Sequence, residues 1–376
     1  MMTILYLFRS LAIWGGIERI LVEKMNFLIQ EYGMNIYLLT TDQGQHPIPY
    51  HLEDNVKRED LGINFHHRYR FSLFKRLWVG HQKTILYERL LHSRIQTIKP
   101  DVIICTTSDP VSSIVKVKGS IPLIIESHSI CSRTINQGKF WFLRIVNRLT
   151  FLKAISKVQV VVALTEGDAA EWRKYHPNVV VIPNFISRES EEQASLESKH
   201  VIFVGRFDYQ KRVLDALSIW EEVFKRFPDW ILDIYGEGEM KDEIESRVSN
   251  MKNVILHQPT DKIYDCYRNS SVLILTSLFE PFGLVILEAM SCGLPVVAYD
   301  CPYGPASIIT DGHDGFLVPN QNKNMFVDKV CSLLSDFDLR CQMGSGGRKS
   351  SVRYYPECIV PQWLSLFLQC IKENVM

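Results

Sequence analysis

The 376-residue chain has no CxxC pair among its nine cysteines and no run of 18 apolar residues. The first absence argues against a zinc ribbon or dithiol site, and an odd number of scattered thiols does not make a disulfide framework. Free cysteines in a reducing, cytoplasmic compartment are expected. The second absence leaves no candidate for a spanning helix. The opening MMTILYLFRS is too short and wrongly flanked for a secretory signal and reads as a first strand. Low-complexity tracts and internal repeats are missing too. So is net charge: 42 Lys and Arg balance 42 Asp and Glu. With no overall positive field and no reading motif, a nucleic-acid partner is not expected.

The balance hides a split. Residues 1–183 carry 23 basic against 15 acidic side chains, and residues 184–376 carry 19 against 27. A first half with an excess of eight positive charges is expected to face something anionic.

What is present is a composition of 46% hydrophobic and 22% charged residues over a length that suits two domains. Short apolar runs alternate with helical patterns. TILYLF (3–8), NIYLLT (35–40), VIICT (102–106), PLIIE (122–126) and VVVAL (160–164) read as buried strands. HVIFVG (200–205), WILDIYG (230–236), VLILT (272–276) and PVVAY (295–299) repeat the scheme. Continuous rather than alternating apolar strands belong to parallel sheets covered on both faces. Helical patterns such as RVLDALSIWEEVFKRF (212–227), stopped by Pro228, lie between them. The reading is an α/β chain with two doubly wound domains, 1–183 and 184–376. They join through a Ser-, Glu- and Gln-rich connection at 187–199, and the apolar tail 355–374 is read as a terminal helix docking back on the first domain.

Open parallel sheets bind ligands beyond the carboxyl ends of their strands. After strand 272–276 the chain reads EPFGLVILEAMSCGLPVVA (280–298), with Glu280 and Glu288 in otherwise apolar surroundings. Pro281 suits a first helical turn and Gly293 with Pro295 a stop, so a helix over 282–292 is predicted. The N–H groups of Phe282, Gly283 and Leu284 would then form a positive, anion-binding tip. Gly283 would let a ligand approach the backbone closely. Carboxylates accept hydrogen bonds from hydroxyls. Two of them bracketing a phosphate-binding tip suit a nucleotide sugar.

After strand 200–205 comes GRFDYQKR, where Arg206 and Lys211 could neutralise a diphosphate. Gly15–Gly16 opens a helix after the first strand, in the manner of a phosphate loop without a Walker lysine. YGEGEMKDE (235–243) fails the dinucleotide fingerprint, because position 241 is Lys. His128 in IIESHS falls just past strand 122–126, where it could donate to a sugar hydroxyl or a developing charge.

Taken in order, EPFGLVILEAMSCGLPVVA, GRFDYQKR, GGIER, ESHS, IPNFI and YGEGEM resemble the motifs of the retaining glycosyltransferases of family 4, in particular their E-x7-E segment. The resemblance spans nearly the whole chain. It implies a GT-B fold: two Rossmann-like domains facing across a cleft, nucleotide sugar mainly on the second and acceptor mainly on the first. By position, Arg206 and Lys211 would neutralise the diphosphate, Glu288 would take the ribose hydroxyls and Glu280 those of the transferred sugar. His128 would touch that sugar near the reacting centre, and Gly16 would close over the phosphates. No cofactor and no divalent metal is implied, in keeping with the absence of an Asp-x-Asp cluster beside these motifs.

Two positions depart from the pattern: Asn184–Phe185 stands where Asn-Gly is common, and Ser307 where a Glu is common. The implied reaction moves a hexose or N-acetylhexosamine, with UDP-galactose as one donor, to a glycan, lipid-linked saccharide or lipid. A leaving-group phosphate oxygen would take the acceptor's proton. An epimerase or phosphorylase on the same fold, and a non-catalytic sugar-nucleotide binder, are the alternatives. The segments 66–83 and 139–157 mix basic and aromatic residues, which suits peripheral contact with an anionic membrane.

Overall fold

The computed structural model describes residues 1–136, 141–186 and 192–375. Part of the connecting segment (187–191) and the start of the second basic-aromatic segment (139–140) lie outside the described residues. The chain divides into two compact units. One is Met1–Pro183 together with Pro356–Met376; the other is Asn184–Tyr355.

The first unit is built on a seven-stranded sheet: β1 (Thr3–Phe8), β2 (Asn35–Thr40), β3 (Lys57–Asp60), β4 (Val102–Thr106), β5 (Leu123–Glu126), β6 (Val160–Ala163) and β7 (Val179–Val181). Every pairing is parallel, in the order β3-β2-β1-β4-β5-β6-β7, and Leu5 lies opposite both Tyr37 and Ile103. Leu5, Ile103, Ile125 and Val161 are almost fully buried, as a sheet covered on both faces requires. The helix Pro356–Val375 belongs to this unit, where it buries Trp363, Phe367 and Cys370.

The second unit has six parallel strands: β8 (His200–Val204), β9 (Ile231–Tyr235), β10 (Val254–His257), β11 (Val272–Leu275), β12 (Val296–Asp300) and β13 (Phe316–Pro319). They run in the order β10-β9-β8-β11-β12-β13. Its helix Val213–Arg226 turns Val213, Ala216, Leu217, Trp220 and Val223 inward. That spacing is one apolar stripe of a 3.6-residue period. Trp220 packs there with Phe203, Leu232 and Ile274.

In both sheets the strand order reverses once, between β1 and β4 and between β8 and β11. These two switch points are where a doubly wound sheet opens a crevice for a ligand.

Candidate active site

Two loops leave the switch point of the second sheet, 205–212 after β8 and 276–283 after β11. The first is braced by the turn after β9. A Cβ on Gly236 would lie 2.0 Å from the Gly205 carbonyl oxygen, so only glycine fits there. The Phe207 N–H donates to the Glu237 carbonyl at 2.9 Å. The Gly-rich turn 235–240 therefore shapes the loop that carries Arg206 and Lys211.

That loop delivers Lys211 to Glu280. Lys211 Nζ lies 2.5 Å from Glu280 Oε2, with the side chains only 11% and 9% exposed. The Ser277 hydroxyl donates to the same oxygen at 3.1 Å. Gln210 ties the two loops together: its carbonyl accepts from the Leu278 N–H at 2.8 Å, and its side-chain amide donates to the Phe279 carbonyl at 3.1 Å. Its amide oxygen accepts from Arg206 at 3.3 Å. The Arg206 guanidinium otherwise stays in solvent, beside Asp208 at 3.1 Å. One cation of the pair is thus buried against Glu280 and the other is exposed and tethered through Gln210. Glu280 is held through its backbone as well. Its N–H donates to the Pro302 carbonyl at 2.7 Å, and its carbonyl accepts from Tyr303 and Gly304 at 2.9 and 2.8 Å. The CPYGP segment is the seat of Glu280.

The helix after this loop runs from Leu284 to Ser291, not over 282–292. The reason is Gly283, the N-cap, whose φ of 104° lies in the left-handed region and turns the chain into the helix. Pro281 and Phe282 precede the cap, and Phe282 is drawn inside, its ring edge-on to Tyr354 at 5.7 Å. The donors of the helix mouth therefore start at Leu284. Glu288, one turn in, is buried and accepts from the Tyr267 hydroxyl at 2.9 Å. Burial first, and the Glu288 charge second, push the Tyr267 hydroxyl well above its usual range, so it keeps the proton it donates.

In the first unit Gly15 is the N-cap of the helix Gly16–Tyr32. Gly15 and Gly16 stay candidates for phosphate contact, and the turn already carries a carboxylate of its own. Glu18 lies in the first turn, 7% exposed, with Oε2 2.0 Å from where a Gly15 Cβ would be. The chain's own carboxylate covers the glycine turn, from the position where acids fold back toward a cap. His128 follows β5 with Nε2 3.1 Å from Glu126 Oε2, and Glu126 is in turn ion-paired with Lys24. Gln210, Tyr267, Glu126 and Lys24 are site neighbours that motif reading did not single out.

Beyond β4, at the first sheet's switch point, Asp109 accepts from the Thr106 N–H at 2.7 Å and the Thr106 hydroxyl at 2.9 Å. Burial pushes its carboxyl from the usual 3.8 up to about 7, against the pull of those two bonds. The folded chain holds that proton more tightly than the unfolded one. Its contribution is fully present below the unfolded value and is lost as pH rises through the folded value. Asp109→Asn keeps an acceptor for both bonds and does not ionise. Its melting temperature should exceed that of the wild type by a margin that grows between pH 4 and pH 7 and then levels. A margin constant across that window would contradict the assignment.

Residues 14–190 match the family described as Glycosyltransferase Family 4, and residues 186–350 match Glycosyl transferases group 1. The amylovoran biosynthesis glycosyltransferase AmsD of Erwinia amylovora is 31% identical over 234 residues, 57% of this chain and 66% of that protein. A Campylobacter jejuni α-1,4-N-acetyl-D-galactosaminyltransferase, whose name gives an undecaprenol-diphosphate-linked saccharide as its substrate, is 25% identical over 94% of this chain and 95% of its own. The crystal structure of a point mutant of S. aureus TarM, in complex with fondaparinux, α-GlcNAc-glycerol and UDP, superposes with a TM-score of 0.78. It is 17% identical, covering 98% of this chain and all of that one. Against the curated relatives it matches first, the chain spans 30% to 66% of their own length. The chain belongs to the family 4, group 1 glycosyltransferases, and its two units carry the GT-B fold.

Proposed function

We propose that this glycosyltransferase is a retaining enzyme that moves a hexose or N-acetylhexosamine from a UDP-linked donor to a glycan or lipid-linked acceptor. The observation that carries this reading is the buried Lys211–Glu280 pair at the second switch point, with Arg206 tethered beside it and Glu288 buried on the helix that follows. A departing nucleoside diphosphate develops negative charge on its bridging oxygen. Lys211 and Arg206 would stabilise that charge more strongly in the transition state than in the bound donor, which raises turnover rather than affinity alone. Glu280 and Glu288 would accept from hydroxyls of the sugar and the ribose. The clamp would supply this charge without a divalent ion, and a phosphate oxygen of the leaving group would take the acceptor's proton on the same face.

The test is a panel of UDP-, GDP- and ADP-linked sugars, read by thermal shift and by nucleotide release with and without acceptor. The configuration of the product's anomeric proton is read by NMR. A UDP-sugar should stabilise the fold and give an α-linked product from an α-linked donor. Inversion, or preference for another nucleotide, would overturn that part of the reading.

The acceptor side carries a surface of the same character as a lipid-linked substrate. The helix Leu73–Ile98 exposes Phe74 (86%), Leu77, Trp78 and Ile85, and the helix Trp141–Ile155 exposes Trp141 and Leu149 beside exposed Arg148. Among the described residues no helix is long and apolar enough to cross a membrane. Peripheral docking on the anionic, cytoplasmic face suits such a surface. The protein should cosediment with vesicles of anionic phospholipid at low salt and less so at high salt, and Phe74→Glu with Trp78→Glu should abolish this. Absence of wild-type binding at low salt would rule out the docking.

A further inference from the structure

Below the surface of the first unit, three ionisable side chains form a line with almost no access to water. Lys24, on the helix Gly16–Tyr32, is 1% exposed and paired with Glu126, 2% exposed, at the end of β5. Glu126 uses its other oxygen on His128 Nε2, at 3.1 Å. The Lys24 ammonium also sits 3.8 Å from the centre of the Trp363 ring, on the helix Pro356–Val375. The hydroxyl of Tyr6, whose ring centre lies 5.6 Å from the same ammonium, is buried without a hydrogen-bond partner among the described residues.

Such an arrangement is costly unless it does something that apolar packing would not, since a buried ion pair often adds little stability over apolar residues of equal volume. Burial on its own would push the Glu126 carboxyl up, but Lys24 first and His128 next pull it down to about 2. Glu126 is therefore a carboxylate, an acceptor only. The hydrogen on the Glu126–His128 contact must then belong to His128 Nε2. In a neutral imidazole that leaves Nδ1 as the bare lone pair. Nδ1 takes no hydrogen-bond partner among the described residues, and the His128 side chain is 4% exposed.

We propose that Glu126, backed by Lys24, is a positioning residue that fixes the His128 ring with its Nε2–H turned inward, so that His128 meets the transferred sugar through Nδ1 as a hydrogen-bond acceptor. Lys24 already neutralises Glu126, so the carboxylate acts on the ring through a hydrogen bond rather than as an unpaired charge. The group recognised is a sugar hydroxyl that donates its proton, not a developing negative charge. Trp363 gives the terminal helix a part in this, because it covers the ammonium that holds the carboxylate. The inference rests on the glycosyltransferase reading and on His128 as a contact to the transferred sugar.

The experiment is ¹⁵N NMR of the full chain with labelled histidine, His128→Gln assigning the signal, at a pH where the ring is neutral. Wild-type His128 should show the Nε2–H tautomer alone. Lys24→Met combined with Glu126→Gln removes both charges and leaves no unpaired ion inside, and should give a mixture of tautomers. Its kcat should fall roughly 10- to 100-fold, as when a metal-bound histidine loses the partner that orients it, while donor KM stays within about twofold. An Nδ1–H tautomer in the wild type, a measurement that needs no variant to fold, would overturn the proposal. So would a double variant with the wild-type tautomer and turnover. A wild-type protein that consumes no nucleotide sugar would defeat the functional reading, and the tautomer would still decide the positioning.

Discussion

Lys211→Met is expected to lower turnover 10²- to 10³-fold, about 2.7–4 kcal/mol of barrier, the usual cost of removing one group aimed at developing charge. The geometry makes this position more sensitive than Arg206. Lys211 is fixed by its backbone N–H on Asp208 at 3.0 Å and by Thr276, whose hydroxyl donates to the Lys211 carbonyl at 3.1 Å. Its ammonium is already buried and held by Glu280. Arg206 is mostly in solvent and must give up contacts there to reach a ligand.

The same substitution strands Glu280 as a buried carboxylate with only the Ser277 hydroxyl of its present side-chain partners, so stability should fall by about 3–5 kcal/mol. The two effects separate in Lys211→Met with Glu280→Gln, where the stranded charge is gone. Denaturant unfolding should recover much of the lost stability, and turnover should stay low. Normal turnover in the single variant would show that the clamp is misassigned.

Gly304→Ala should have the next largest effect, and it is independent of any view of the donor. A Cβ there would lie 1.8 Å from the Phe282 carbonyl oxygen and 2.3 Å from its carbon. Those are backbone atoms and cannot swing aside. The strand-to-helix loop must move, and with it the Glu280 carbonyl that the Gly304 N–H holds at 2.8 Å. Overpacking of this kind costs about 1–3 kcal/mol. The site should lose more than the fold does: donor KM should rise more than tenfold as the Lys211–Glu280 geometry is pulled apart. Ser307→Ala, on the same short helix, serves as the control, because its exposed hydroxyl bonds only within its own turn, to the Tyr303 carbonyl at 2.9 Å. Equal behaviour of the two variants would mean that the loop tolerates displacement and does not seat Glu280.

The nine strands expected from apolar runs are the nine interior strands, and the four that runs did not reveal, β3, β7, β10 and β13, are the four sheet edges. An interior strand of a covered parallel sheet is buried on both faces and so is written as an unbroken apolar stretch. An edge strand has neighbours on one side only. β3 is KRED, exposed or half-buried throughout, and β7 is three residues long. Nothing local distinguishes KRED from a loop; only the strand already waiting beside it does.

The site divides in the same way. Glu280 and Glu288 stood out because acids are rare in apolar segments, and both are buried. Lys24 carries a comparable signal: it falls on the inward stripe of its helix, between Leu21 and Leu28. Its partner Glu126 lies 102 positions away, a distance that no local pattern bridges. The helix Leu284–Ser291 starts two residues later than Pro281 suggests, because the left-handed turn at Gly283 decides where it can begin.

One unit of this chain is continuous in sequence and the other is not. Residues 184–355 leave the ribosome as a complete folding unit, whereas the body made earlier waits for its final piece until Pro356–Met376 has been added. The unit made first therefore cannot complete its contacts until all residues of the other have been made, a constraint on the usual amino-terminal-first habit of multidomain chains. In the interval the Lys24 ammonium lacks its indole cover, and the apolar flank that receives Trp363 and Phe367 is bare to chaperones and proteases. A premature stop just after Tyr355 would spare the later-made unit and leave the earlier one permanently in that unfinished condition.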